Sequence, residues 1–170
     1  MPMRPSFLWV LPFVLGHYSG LKAETYSTDT CLFEVTFPAK PERYITSNHI
    51  GDFDAAQLTV NGSFLRAECF PNMYNSNVSQ IALSKQVLLD YAAGNGLSQP
   101  SVTIYEHEDY FASQLRGYKN IDGKKAIYEM VTYWSESSVL FVLVASAAEI
   151  FPTREIFDFI STVRMAPAKN

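Results

Sequence analysis

The chain has 170 residues, with 13 Lys and Arg against 17 Asp and Glu, a formal net charge of −4. That balance disfavours a general nucleic-acid or anionic-membrane binder, which needs a basic footprint. Apolar residues make up 48% and aromatic residues 14%, enough to build a packed core.

Residues 1–23 read MPMRPSFLWVLPFVLGHYSGLKA. Arg4 supplies a positive n-region, Phe7 to Gly16 an apolar stretch interrupted by Pro12, and Ala23 a small residue before a cleavage point. A stretch of this length reaches only about 15 Å as a helix, half the hydrocarbon core of a bilayer. The expectation is a signal peptide over residues 1–23, export to the periplasm or medium, and no stable membrane insertion after cleavage. Cleavage removes Arg4 and Lys22 and leaves 147 residues carrying 11 cations and 17 carboxylates, a net charge of −6. That length fits one domain over residues 24–165, with residues 166–170 as a frayed tail.

Cys31 and Cys69 are the only cysteines. In an oxidising compartment an even pair is most simply one disulfide. A redox pair or metal site is the alternative, but the pair lacks the CxxC spacing that usually supports either.

In chain order, Cys31 to Phe37 alternates as a strand and Pro38 ends it. Glu42 to Ile50 reads as a second strand. Phe53–Val60 and Ser63–Phe70 form a hairpin whose turn, Asn61-Gly62, suits the positive φ angles of a type I′ turn. Pro71 to Asn77 is a loop. Residues 78–93 place Ile81, Leu88 and Ala92 on one helical stripe, with Val78, Val87 and Tyr91 beside it, and Gly94-Asn95-Gly96 stops the helix. Val102 to Tyr105 begins a strand. Leu115–Asn120 and Lys124–Trp134 bracket a second tight turn at Asp122-Gly123, with Ala126, Tyr128, Met130, Thr132 and Trp134 on one face. The apolar run Ser138 to Ser146 predicts a central strand buried on both faces. Pro152 suits the first turn of a closing helix with Ile156, Phe157, Ile160 and Val163 as its apolar face. Strands, helix, strands, helix predict an α+β sandwich, an antiparallel sheet with two helices packed on it.

This order resembles the PsbP-like fold family, which includes the extrinsic photosystem proteins, the DcrB-type envelope proteins and many exported bacterial proteins of unknown role. The resemblance is carried by Phe33-Glu-Val-Thr-Phe-Pro-Ala-Lys-Pro41 and by the mid-chain helix ending at Gly94. It continues through the hairpin Gln114 to Trp134, the apolar strand 138–146 and the terminal Phe157-Asp-Phe-Ile-Ser161, covering roughly residues 32–165. It implies a PsbP-like sandwich that binds or assists other proteins, with no shared catalytic residues to carry over. The Cys31/Cys69 pair is not a general feature of that group.

Three histidines occur, and His17 lies in the leader. The chain contains no GxSxG elbow, HExxH helix, P-loop or GxGxxG run, so no enzymatic activity and no cofactor are expected. Glu106-His107-Glu108-Asp109 is the densest polar cluster. Continued as a strand it splits its ligands between two faces, so the default is a solvated acidic strand end. His107 with Asp109, joined by His49, is the residual metal candidate. Tyr105, Tyr110, Phe111 and Tyr118 flank this patch, and Arg116, Lys119, Lys124 and Lys125 cluster around the second hairpin. Together they form the candidate partner surface, since Tyr and Arg are favoured at interfaces. Asn61-Gly-Ser63 and Asn77-Val-Ser79 match the glycosylation sequon. The expected function is an exported, non-enzymatic accessory protein that binds another envelope or secreted protein. Its rivals are a small-molecule or metal-binding protein with a pocket between helices and sheet, and a hydrolase with an unrecognised site.

Overall fold

The structure is a computed structural model that describes residues 22–48, 51–73 and 80–167. The leader up to residue 21, His49, Asn77 and the start of the expected mid-chain helix lie outside the described residues.

Short strands β1 (Glu24–Tyr26), β2 (Phe33–Phe37) and β10 (Arg164–Met165) form a three-stranded sheet in the order β1-β2-β10. Strands β3 (Glu42–Asn48), β4 (Gly51–Val60), β5 (Ser63–Pro71), β6 (Ser98–Glu106), β7 (Phe111–Ile121), β8 (Lys124–Trp134) and β9 (Ser138–Ala147) form a seven-stranded sheet. Its order is β3-β4-β5-β9-β8-β7-β6, with antiparallel neighbours throughout. Helix α1 (Gln80–Gly94) packs against β6 and β7 on one face, and α2 (Arg154–Ser161) against β5 and β9 on the other, beside β2. The class is α+β, as the element order predicts. The added feature is the small second sheet, whose two- and three-residue outer strands are too short to show periodicity in sequence.

The larger core lies between the two sheets. Tyr26, Phe33, Val35 and Phe37 meet Leu65, Ala67, Leu140, Val142 and Val144, closed by Ile156 and Phe159 of α2. Burying each large side chain of this kind contributes about 1.5–3 kcal/mol. The expected disulfide is present, Cys31 to Cys69 with a Cα–Cα distance of 5.9 Å, and it fastens the connection just before β2 to β5. The smaller core sits under α1 and contains Leu88, Ala92, Leu97, Leu115, Met130 and Leu143. Strand β9 lies between β5 and β8, and eight of its ten residues are buried.

Both hairpin turns take the expected conformation, with positive φ at Asn61, Gly62, Asp122 and Gly123. The Asn61 side chain donates to Glu155 Oε1 at 2.5 Å, while Ser63 of the same sequon is buried and bonded to Thr153. Helix α1 ends in a Schellman motif. Leu97 N–H bonds the Ala92 carbonyl at 2.9 Å, Gly96 N–H bonds the Ala93 carbonyl at 3.2 Å, and Gly96 holds φ +65°.

The closing helix differs from the sequence reading in three ways, one being that Val163 lies beyond its last residue, Ser161, and its C-cap, Thr162. Pro152 lies outside it, after a cis Phe151–Pro152 bond. Thr153 is the N-cap and accepts the Ile156 N–H at 3.2 Å, so the first turn begins at Arg154. Phe157 is 67% exposed, and Phe159 is buried in its place. One residue turns a helix by about 100°, so Phe159 and Ile160 flank the Ile156 stripe and Phe157 swings off it. The expected strand at 31–37 begins at Phe33, and the two expected around 102 and 115 begin earlier, at Ser98 and Phe111. At the C-terminal end, Ala166 N–H bonds the Leu32 carbonyl at 2.8 Å, so ordered pairing runs one residue into the expected tail. Among the described residues no helix is long and apolar enough to cross a membrane.

Candidate binding face

Side chains alternate between faces along a strand, so register decides which candidates meet. Ser101 pairs with Arg116, Thr103 with Gln114 and Tyr105 with Ala112; Arg116 pairs in turn with Glu129, and Tyr118 with Ile127. These residues share the α2 face of β6, β7 and β8. The small sheet and α2 cover the inner strands of that face and leave its outer end open. The result is an open trough of about 410 Å³ lined by Ser101, Thr103, Tyr105, Gln114 and Arg116.

The trough is organised by cross-strand contacts. Tyr105 Oη donates to Gln114 Oε1 at 2.8 Å. Arg116 donates from Nε at 2.8 Å and Nη2 at 2.5 Å to the same Glu129 oxygen, Oε2. The Glu129 carboxylate is buried, at 5% side-chain exposure against 48% for Arg116. Its guanidinium also lies 5.3 Å from the Phe151 ring centre. Lys125 Nζ sits 3.7 Å above the Tyr118 ring, a close cation–π contact. Glu129 neutralises Arg116, so Lys125 supplies the positive charge at this end. Hydroxyls, a carboxamide, a guanidinium and two tyrosine rings on one accessible surface can hydrogen-bond a polar chain and stack its side chains.

Of the candidates read from sequence, Tyr105 and Arg116 line the trough, and Tyr118 and Lys125 lie on the same face further along β7 and β8. Lys119 and Lys124 point to the α1 face by the same alternation. Adjacent lysines in a strand cannot share a surface, so Lys124 and Lys125 do not act as one patch. Phe111 also lies on the α1 face, stacked on Trp134 at 5.6 Å. Tyr110 is half-buried against Phe33 at 5.5 Å and belongs to the edge of the larger core. His107 stacks on Tyr110 at 4.4 Å in the β6–β7 turn, and Asp109 is exposed beside it. Among the described residues no three His, Cys, Asp or Glu side chains gather as a metal set. Ser101, Thr103, Gln114 and Glu129 were not singled out by sequence. The alternation Ser-Val-Thr-Ile-Tyr at 101–105 is the signal that could have found the first two.

A second cavity, about 90 Å³, lies on the α1 face between Arg66, Glu68, Tyr91, Met130, Phe141 and Leu143. Arg66 pairs with Glu68 and lies over the Tyr44 ring at 5.5 Å. Burial raises the Tyr44 and Tyr91 hydroxyl pKa values above the ordinary range, with Arg66 opposing the shift.

A seven-stranded antiparallel sheet with helices on opposite faces and a small sheet closing one of them defines a PsbP-like α+β fold. Among solved structures, cyanobacterial PsbP (CyanoP) from Synechocystis sp. PCC 6803 matches at TM-score 0.58 and 12% identity, covering 89% of this chain and 99% of that one. A protein from Bacteroides thetaiotaomicron VPI-5482 matches at TM-score 0.52 and 9% identity over 84% of this chain, which spans 48% of that longer protein. LpqN, involved in cell envelope biogenesis of Mycobacterium tuberculosis, reaches TM-score 0.43 at 10% identity over 89% of this chain and 88% of its own, too distant to argue from. At these identities the likeness carries the fold alone. No protein-family model and no curated protein sequence matches the chain.

Proposed function

We propose that this chain is an exported, non-enzymatic accessory protein that binds another envelope or secreted protein through the trough on β6, β7 and β8. The observation that supports this most is the open trough itself, which holds Tyr105 and Arg116 where the covering layer stops, with Tyr118 and Lys125 in contact on the same face further along β7 and β8. The Cys31–Cys69 disulfide fits an oxidising compartment and agrees with the leader. By size, a small-molecule pocket between α1 and the sheet is less well supported, although the open trough, at about 410 Å³, lies within the usual range. The cavity between α1 and the sheet holds about 90 Å³. Small-molecule sites usually hold roughly 300–1,000 Å³.

The test is co-purification of the tagged protein from its own organism, followed by affinity measurement on face-specific variants. Tyr118→Ser with Lys125→Glu removes a stacking platform and reverses the charge above it, and should weaken the complex about tenfold or more. Lys124→Glu alters the opposite face and should leave affinity unchanged. Equal effects of the two variants would rule out the trough as the contact surface.

A further inference from the structure

Strand β6 ends the seven-stranded sheet; among the described residues no strand pairs with its outer edge, which has a defined hydrogen-bonding pattern. His107 N–H bonds the Tyr110 carbonyl at 2.9 Å, so 107 and 110 form a hydrogen-bonded pair closing the β6–β7 turn. Hydrogen-bonded and non-bonded pairs alternate along an antiparallel ladder. The register therefore makes Tyr105–Ala112, Thr103–Gln114 and Ser101–Arg116 the bonded pairs. The backbone N–H and C=O groups of Val102, Ile104 and Glu106 consequently point outward, away from β7. A register shift between Ser98 and Ser101, with Gln99 at φ +52° followed by Pro100, interrupts the ladder just before this stretch. The usable edge is thus residues 101–106, about 17–20 Å of strand.

Its charge is one-sided. Glu106 ends the strand, and Glu108 and Asp109 follow in the turn. None of the three makes an ion pair among the described residues. Val102, Ile104 and Glu106 share the α1 face of the strand, with Ser101, Thr103 and Tyr105 on the trough face.

We infer that this edge takes an extended segment of the partner protein as an eighth strand. The segment carries apolar residues opposite Val102 and Ile104 and a Lys or Arg opposite Glu106, with polar residues between them facing the trough. The mode is strand addition, in which main-chain bonds give affinity and alternate side chains give specificity. Directly opposed residues of opposite charge stabilise the pair, and like charges destabilise it. The acidic end therefore sets the register and selects a basic segment. This inference rests on the reading of the chain as a protein-binding protein and names the class of segment it takes.

The test uses the protein recovered after export and leader processing, isotope-labelled for NMR. Two capped peptides serve as probes, Lys-Thr-Val-Thr-Val for antiparallel and Val-Thr-Val-Thr-Lys for parallel addition, each flanked by serines. At millimolar peptide, one of them should slow amide exchange at Val102, Ile104 and Glu106 by about tenfold or more. Replacing its Lys by Glu should weaken binding roughly fivefold or more, as should Glu106→Lys in the protein. Ile104→Pro deletes an outward N–H that β7 does not use, and should abolish protection. Should Ile104→Pro fail to fold, Glu106→Lys carries the comparison alone. No protection with either peptide, or protection unchanged in both variants, overturns the inference. The natural partner is then measured on the same variants. A partner retained at full affinity by Ile104→Pro yet lost on Tyr118→Ser with Lys125→Glu overturns the edge and leaves the protein-binding reading standing. If no partner is recovered, the reading falls whatever the peptides do.

Discussion

Removing the cation above Glu129 tests whether the trough floor is held by a buried charge pair. In Arg116→Met the apolar stem that lies against Phe151 is kept, while the two hydrogen bonds to Glu129 Oε2, at 2.8 and 2.5 Å, are lost. The carboxylate has 5% side-chain exposure and would be left without its guanidinium. Breaking a fully buried pair costs about 3–5 kcal/mol. Arg116 is itself 48% exposed, so water reaches the site when it is shortened. The expected loss is therefore about 2–3 kcal/mol, the lower part of that range discounted for solvent. For a domain of this size that corresponds to a fall of roughly 4–12 °C in Tm. Urea denaturation of Arg116→Met, Glu129→Leu and the double variant measures the coupling. The double variant removes both charges and should recover most of the loss. A single variant costing less than about 0.5 kcal/mol, or a double variant as unstable as the first single, would refute a buried pair that needs its partner.

Further predictions concern the scaffold. Replacing both Cys31 and Cys69 by Ala opens a link across a sequence separation of 38 and should cost about 4 kcal/mol by the chain-entropy relation, read as a lower denaturation midpoint; an unchanged midpoint would show that the small sheet is held by packing alone. In Gly117→Ala the new Cβ meets Leu97 Cβ at 3.0 Å and Leu97 Cδ1 at 3.3 Å, where β7 passes under the end of α1. The expected cost is about 1–3 kcal/mol, with α1 amides losing exchange protection before those of β9. Burial holds the Tyr26 and Tyr133 hydroxyls protonated well above the ordinary value of 10.0. The unfolded chain ionises first, so this contribution to stability is complete below about pH 10 and is lost as pH rises further. Ultraviolet titration should show buried tyrosines ionising only with unfolding, and a single early class containing every tyrosine would contradict it.

The sequence carried the parts of the fold that repeat within a few residues. The Asn61-Gly62 and Asp122-Gly123 turns were legible because only a few residue types accept positive φ there. The unbroken apolar run of β9 marked a strand covered on both faces. Parts fixed by distant partners were not legible. Strands β1 and β10 exist because each pairs with β2, and neither Glu24–Tyr26 nor Arg164–Met165 has a period of its own. Helix α2 starts at Arg154 because the Thr153 side-chain oxygen caps it, a more local rule than a proline in the first turn. On the trough face, Tyr105, Arg116, Tyr118 and Lys125 were visible as interface residue types, but their sharing of one face depends on register across three strands. That same register separates Lys124 from Lys125. The Arg116–Glu129 pair spans β7 and β8 and leaves no mark in local sequence.

The most direct test of the central claim is native co-purification of the tagged protein from its own organism, with mild cross-linking and mass spectrometry to locate the linked residues. The account predicts one stoichiometric protein partner, with cross-links from Lys125 and from the carboxylates at Glu106, Glu108 and Asp109. A protein recovered alone under the same conditions, or a partner linked only through the α1 face at Lys119 and Lys124, would contradict it.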